Sequence, residues 1–173
     1  MKRTAAVVIA GVLLLSGCST DSGGSDALSL GDTKSAAQLW RNTISGKISS
    51  DITAAISNVT DASETCDGDS KGLMRLWRST ALTELTADAA GKVDLIQQSI
   101  SGAFVSKGWD STSEQLSDTS TLVKLENPTS LATIEITSTA AEDGAGATIY
   151  VNIAGPCVET DGPGSDELKQ LGE

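Results

Sequence analysis

Apolar residues recur at every fourth position in the first part of the predicted domain. The series comprises Trp40, Ile44, Ile48, Ile52 and Ile56. A spacing of four places these side chains on one broad helical face and fits no strand alternation, although isoleucine itself favours strands. The pattern therefore predicts a helix that begins at Asp32 or Thr33, either of which can act as its N-cap, and ends near residue 58.

The segment 73–85 has a mixed period. Leu76 and Leu82 alternate with polar residues, which indicates a strand, whereas Leu76 with Trp77 also fits a helix. A glycine before the segment and its serine and threonine content favour the strand. In such a strand Arg75 and Trp77 lie on the solvent face, so Trp77 is a candidate exposed contact residue. The alternative for Trp77 is burial beneath a helix.

The second half of the chain changes from a helical period to a period of two. A second helix is predicted from Asp88 to Gly108, with an apolar stripe formed by Val93, Ile96, Ile100, Ala103 and Phe104. Strands are then predicted over 116–126, 131–139 and 147–153, where apolar and polar residues alternate. The turn that contains Pro128 and a loop rich in glycine separate them.

The order helix, strand, helix and three strands predicts an α+β fold. Short connections between the last strands favour antiparallel pairing, and the helices need an apolar surface to cover. We therefore expect a two-layer sandwich, with two helices on one face of an antiparallel sheet of about four strands. Threonine, serine, glutamate and lysine at the alternate positions predict that the other face meets solvent.

The start of the chain carries a targeting pattern. Lys2 and Arg3 precede an apolar run that extends to Leu15, and Leu15-Ser16-Gly17-Cys18 follows. The run is about eleven residues long, against the roughly 20 that a membrane span requires, so it predicts a secretory signal and not a transmembrane helix. A leucine three positions before a cysteine, with two small residues between them, resembles the lipobox of bacterial lipoproteins. An ordinary signal peptide is the alternative.

The lipoprotein resemblance implies cleavage after Gly17 and attachment of lipid to Cys18, which places the protein on the extracytoplasmic face of the cell membrane. Residues 18–31 are rich in serine, glycine and aspartate and are expected to form a flexible tether. A single domain is predicted over 32–160, followed by an acidic tail over 161–173 with a short helical turn near 166–171.

The mature chain is similar to small cysteine-bridged lipoproteins of high-GC Gram-positive bacteria. The likeness rests on the lipobox, the first helix with its tryptophan, Cys66, Gly108-Trp109 and Gly155-Pro156-Cys157-Val158. It carries over no functional residue, so the binding residues stay unknown at this stage.

Charge and cysteine content narrow the chemistry. Loss of residues 1–17 leaves ten basic against 23 acidic residues, a net charge of −13, which argues against a nucleic-acid partner. With Cys18 assigned to lipid, Cys66 and Cys157 form an even pair in an exported chain, and we expect a disulfide. A zinc site and a reactive thiol are the alternatives, but the chain has no histidine and no CxxC motif.

The absence of histidine also removes the Ser-His-Asp triad and histidine-based metal centres. The segment 67–72 superficially resembles a calcium loop, but Lys71 and Arg78 occupy ligand positions, so it is predicted to be a turn. We expect no metal, no cofactor and no catalysis. Two functions remain: an envelope interaction module that binds a protein or wall component, and a small-molecule or lipid carrier with a cavity between helices and sheet.

Overall fold

The described part of the chain folds into a seven-stranded antiparallel sheet with two long helices on one of its faces. The computed structural model describes residues 28–141 and 146–172. In chain order the elements are α1 (Leu30–Ser45), β1 (Thr53–Thr65), β2 (Met74–Leu85), α2 (Val93–Val105), β3 (Asp110–Ser117), β4 (Ser120–Glu126), β5 (Thr133–Ala140), β6 (Ala147–Ala154), β7 (Val158–Glu159) and α3 (Asp166–Leu171). Short 3-10 helices occupy Ser50–Ile52 and Ala87–Lys92.

Six of the strands form a continuous path in the order β1-β2-β6-β5-β4-β3. The two-residue strand β7 pairs with the start of β2, through Met74 and Arg75. The path places β1 and β3 at the two edges of the sheet. Both edge strands contain register irregularities: in β1 they fall between Thr53 and Ala55 and between Ser57 and Thr60, and in β3 one falls between Gln115 and Ser117.

The hydrophobic core lies between the helices and one face of the sheet. Strand positions alternate, so that Ile134 and Ile136 of β5 and Ile149 and Ile153 of β6 are fully buried, while their neighbours are not. Helix α1 packs over β2 and β6, and α2 packs over β4, β5 and β6. Trp109 contacts both helices edge-on, with its ring centroid 5.1 Å from Trp40 and 5.3 Å from Phe104.

The predicted sandwich of about four strands and two helices is wrong, because residues 28–141 and 146–172 form a sheet of seven strands and three α-helices. The largest error is the helix predicted to residue 58, which ends at Ser45. Ser49 caps a single 3-10 turn, and the run rich in β-branched residues that follows is strand β1. The isoleucines therefore share no helical face: Ile44 and Ile48 are buried, whereas Ile56 is 56% exposed on β1.

The predicted strand over 116–126 is two strands joined by a tight hairpin, β3 and β4. Helix α2 begins at Val93 and not at Asp88, because residues 87–92 form a 3-10 helix. The segments predicted as strands over 73–85, 131–139 and 147–153 are strands β2, β5 and β6.

The first helix begins earlier than predicted. Its N-cap is Ser29, whose hydroxyl accepts from the Asp32 backbone N–H at 3.2 Å, while the Asp32 carboxylate accepts from the Ser29 N–H at 3.0 Å. The same first turn lies against the end of β6, where a Cβ on Gly155 would approach the Thr33 Cβ to 3.0 Å. Glycine at position 155 therefore permits close packing of α1 on the sheet.

The end of the chain folds back on the domain. A disulfide joins Cys66, after β1, to Cys157, after β6, with the two Cα atoms 6.2 Å apart. Helix α3 then buries Leu168, and the Leu171 carbonyl accepts a hydrogen bond from Lys34 Nζ at 2.9 Å. The disulfide thus links the loop between β1 and β2 to the strand β6, the second neighbour of β1 in the sheet.

We expect the Cys66→Ala/Cys157→Ala variant to lose about 4 kcal/mol of unfolding free energy, because the disulfide closes a loop across a sequence separation of 91 residues. Urea titration of the variant and of the reduced wild-type protein provides the measurement. Both should unfold at the same lowered midpoint, and a midpoint unchanged from the oxidised protein would contradict the prediction.

Candidate functional site

A polar stripe on α1 faces β2 and the edge strand β1. Lys34, Gln38 and Arg41 lie at helical spacings of four and three, so they share one side of α1. All three side chains reach atoms outside the helix, on β1, on β2 or on α3. The stripe therefore forms the polar contact between α1 and the strands β1 and β2.

Asp61 of β1 is the centre of this contact. Its Oδ2 accepts from Arg41 Nη1 at 2.7 Å and from Gln38 Nε2 at 3.2 Å, and its Oδ1 accepts from Trp77 Nε1 at 2.7 Å. Arg41 Nη1 also donates to Ser79 Oγ at 2.9 Å. We call Gln38, Arg41, Asp61, Trp77 and Ser79 the Asp61 cluster. It connects α1 to both β1 and β2.

The Asp61 carboxylate is held in its ionised form. Burial would raise the pKa of Asp61, but the hydrogen bonds from Trp77, Arg41 and Gln38 and the charge of Arg41 together outweigh burial and lower that pKa below its ordinary value. With its oxygens engaged by three donor side chains, Asp61 is poorly placed to exchange a proton with a substrate. The cluster is therefore suited to fastening an edge strand and not to acid–base chemistry.

Trp77 is buried beneath this contact. Its side chain is 1% exposed beneath α1, and Lys34 Nζ lies 4.6 Å from the ring centroid. Of the two alternatives for Trp77, burial beneath a helix is confirmed, and the exposed position on the solvent face is wrong. Trp77 shares its face of β2 with buried Ser79, Ala81 and Leu85, because the helix layer covers that face and not the opposite one.

The C-terminal end of α1 borders an apolar cleft of about 410 Å³. Its lining residues are Ser45, Ile48, Ser50, Thr53, Ile56 and Thr83. Ile48 forms part of the core, whereas Ile56 is 56% exposed and Val59, on the same strand, is 55% exposed. Both lie on β1, beyond the strands that α1 covers. The cleft therefore joins the core to an exposed apolar surface at the sheet edge.

The edge strand β1 has few of the features that prevent pairing with another chain. It is 13 residues long and contains no lysine, arginine or proline. Its two carboxylates are neutralised, since Asp61 binds Arg41 and Glu64 binds Arg78 Nε at 2.6 Å. Its register irregularities are the one protective feature of this kind on the strand.

The opposite edge has different chemistry. All eight residues of β3 are exposed, and most carry a hydroxyl, amide or carboxylate group. The cleft beside it, between β3 and α2, is lined by polar side chains that include Gln97, Gln98 and Ser113. Among the described residues, the sheet edge that combines exposed β-branched side chains with an apolar cleft is therefore β1.

The other residues singled out from the sequence separate into two groups. Cys18 lies outside the described residues, whereas Cys66 and Cys157 are bonded to each other. The segment 67–72 is a turn, in which the Asp69 carboxylate accepts from the Met74 and Lys71 backbone N–H groups, and these bonds lower the pKa of Asp69. In the described ranges no three histidine, cysteine, aspartate or glutamate side chains are grouped so that they could hold a metal ion.

The Asp61 cluster was not identified from the sequence. Asp61 lies 20 residues from Arg41 and 16 from Trp77, so only the folded sheet brings the three together. The threonine, isoleucine and valine content of residues 53–65 is the signal that predicts a strand there and, with it, an edge.

Comparisons with known proteins assign no family to this fold. No family model matches the chain, and neither the curated proteins nor the solved structures contain a match. None of the helices in the described part of the chain has the length and apolar character that crossing a bilayer requires.

We expect Asp61→Asn to lower the unfolding free energy at pH 7 by roughly 1–2 kcal/mol, because the amide loses the charge-assisted bonds. The folded pKa of Asp61 lies below its unfolded value, so its contribution is present above about pH 4 and is lost as the pH falls through the folded pKa. Urea titrations from pH 7 to pH 2.5 should give a flatter stability profile for the variant.

The matched control is Asp118→Asn, which changes an exposed carboxylate between β3 and β4. It should retain the wild-type profile. Asp32 and Asp69, whose pKa values are also lowered, leave a residual slope in every variant. A wild-type slope in Asp61→Asn would contradict the assignment.

Proposed function

We propose that the protein is a lipid-anchored module of the bacterial cell envelope, held to the extracytoplasmic face of the membrane through Cys18. The Leu15-Ser16-Gly17-Cys18 match after a basic and apolar leader supports this proposal. The net charge of −13 after cleavage disfavours electrostatic attachment to anionic lipid, so acyl chains supply the anchoring. Each buried methylene contributes about 0.8 kcal/mol, and two or three chains hold a protein firmly.

The proposed activity is binding, without catalysis, of an extended segment of an envelope protein along the outer edge of β1. The observation that carries it is the composition and position of β1: a long edge strand, free of lysine and proline, with exposed Ile56 and Val59 beside an apolar cleft. Within the described part of the sheet β1 has one long strand partner, β2, so main-chain groups on its outer side are available to an added strand.

The chemistry of the edge selects the kind of partner. An extended polypeptide supplies the alternating N–H and C=O groups that complement an open strand edge, whereas a wall polysaccharide does not. An isoleucine or valine side chain of that segment fits the cleft beside Ile56, because two isoleucines and four small hydroxyl-bearing residues line it and none of them is charged. We therefore commit to a protein partner with a β-branched, extended segment.

Core packing supports this module over the lipid or small-molecule carrier. The space between the helices and the sheet is occupied by large side chains that are less than 2% exposed, among them Trp77, Phe104, Ile100, Ile136 and Ile149. A carrier would need an empty cavity in that space to hold its ligand. The Asp61 cluster supports a non-catalytic role, since its one carboxylate is fully engaged by donors.

The binding end of β1 is distant from the point where the chain enters the domain. Thr53 pairs with Leu85 at one end of the sheet, and Thr65 pairs with Arg75 at the other, near Gly155 and the first turn of α1. Nine residues of strand separate Ile56 from Thr65, a length of about 30 Å. A domain anchored at its α1 end therefore presents the Ile56 cleft away from the bilayer.

The anchoring proposal predicts that Cys18→Ala is released from membranes or remains unprocessed. Membrane fractionation of producing cells, with the apparent mass of each fraction, measures this. The wild-type protein should sediment with membranes at the mature size. A Cys18→Ala protein that still sediments at the mature size would show that lipid on Cys18 is not the anchor.

The binding proposal is tested with a photoreactive amino acid at position 56 of the full-length protein in producing cells, and at Leu116 of β3 as the control. Adducts are expected at position 56. The crosslinked partner segment, made as a peptide, should bind the protein and protect β1 amides from hydrogen exchange.

Ile56→Lys should weaken binding of that peptide tenfold or more, because a charge replaces an apolar contact in the cleft. Leu95→Lys, at a residue that is 65% exposed on α2, is the matched control and should bind as the wild type does. A peptide that binds both variants equally, or that protects no β1 amide, would exclude the β1 edge as the site.

A further inference from the structure

The loop between β4 and β5 presents a leucine in an unusual conformation. Leu131 has φ +61°, and it is the one non-glycine residue with a positive φ in the described ranges. Its side chain is 77% exposed, more than any other large apolar residue of the described chain. A bulky L-residue rarely adopts this conformation, and an observed outlier of this kind points to a functional demand on the position.

Hydrogen bonds within the loop hold Leu131 in place. The Asn127 side-chain Oδ1 accepts from the Thr129 and Ser130 backbone N–H groups, each at 3.0 Å. The Leu131 N–H donates to the Asn127 carbonyl, and the Asn127 N–H donates to the Ala132 carbonyl, both at 2.9 Å. Ala132, the next residue, is fully buried. The exposed leucine is therefore fixed on an ordered loop.

Leu131 lies at the end of the sheet where the chain enters the domain. Thr133 of β5 pairs with Ala154 of β6, and the next residue, Gly155, packs against Thr33 in the first turn of α1. Leu28, the first described residue, directly precedes that turn and is 49% exposed. Ten residues link Leu28 to Cys18, a covalent reach of about 35 Å at most.

A third exposed apolar residue belongs to the same end. Val105, at the end of α2, is 47% exposed, and the chain continues from it through Trp109 to the start of β3. That start pairs Asp110 with Glu126, the last residue of β4 before the loop. Leu28, Val105 and Leu131 therefore share the end of the domain that is tethered by Cys18.

We propose that Leu131 is a bilayer contact, which inserts into the interfacial region of the membrane that holds Cys18. This inference rests on the proposed anchoring. One leucine binds a membrane weakly, but the covalent link keeps it within reach of the surface, so a weak contact becomes well populated. Asp110 and Glu126, which line a cleft together with Leu131, make the contact stronger on zwitterionic than on anionic lipid.

The test uses the full-length lipidated protein in phosphatidylcholine vesicles whose acyl chains carry bromine, which quenches nearby tryptophan. Leu131→Trp is compared with Leu116→Trp, since both leucines are exposed and Leu116 lies at the opposite end of β3 from Asp110. We expect quenching above the level of the three native tryptophans in Leu131→Trp and no added quenching in Leu116→Trp. Replacing half of the lipid with phosphatidylglycerol should reduce the added quenching.

Flotation of the same vesicles separates the two proposals. Protein that floats without added quenching at position 131 would overturn the bilayer contact and leave the anchor intact, whereas protein that does not float would overturn both. Leu131→Asn tests whether the leucine serves folding, because asparagine tolerates the left-handed conformation. It should melt at or above the wild-type temperature, and a clear loss of stability would assign Leu131 to the fold instead.

Discussion

Two helices are too narrow to cover a path of six strands, and the layout of the molecule follows from that limit. Strands about 4.8 Å apart place the outer strand axes of this path roughly 24 Å apart, while each helix spans about 10 Å with its side chains. Helix α1 packs over β2 and β6, and α2 packs over the strands from β6 to β4. The edge strand β1 lies beyond the helix layer, and β3 meets only the flank of α2. The two edges also differ in chemistry: β1 exposes aliphatic side chains, whereas β3 exposes mostly polar ones.

An uncovered edge strand needs some other attachment to the helix layer, and at β1 that attachment is polar. Apolar contacts join the helices to the sheet elsewhere, but at β1 the Asp61 carboxylate accepts hydrogen bonds from side chains of α1 and β2. Removal of one partner would leave a half-buried charge or donor without its bond, which is costly in a way that loss of a surface ion pair is not. The cluster therefore holds the strand in register while its outer edge stays open.

Elements with a buried face were predictable from the sequence, and elements without one were not. Strands β5 and β6 alternate cleanly because each contributes one row of side chains to the core. Strand β3 contributes no row of side chains to the core, so its polar sequence shows no alternation of apolar and polar residues. Backbone pairing with β4 holds it in the sheet. The isoleucine series led to a wrong prediction because Ile48, Ile52 and Ile56 lie beyond the end of α1. Ile48 is buried, Ile52 is partly buried and Ile56 is exposed, so their spacing of four residues reflects no shared helical face. The Asp61 cluster forms only when strand pairing brings distant residues together, and the local sequence does not encode that pairing.

The direction of α1 sets how the domain bears a mechanical load. The helix begins beside Gly155 and ends beside the cleft that contains Ser45, so it runs the length of the sheet away from its first turn. Tension between the chain that precedes α1 and the Ile56 cleft acts roughly along the helix axis. The buried contacts of Leu30, Ala37 and Ile44 then resist the sliding of α1 at the same time, and not one after another. Under the proposed anchoring, a pull on the bound segment would load these contacts in shear, the geometry in which many weak contacts share the force.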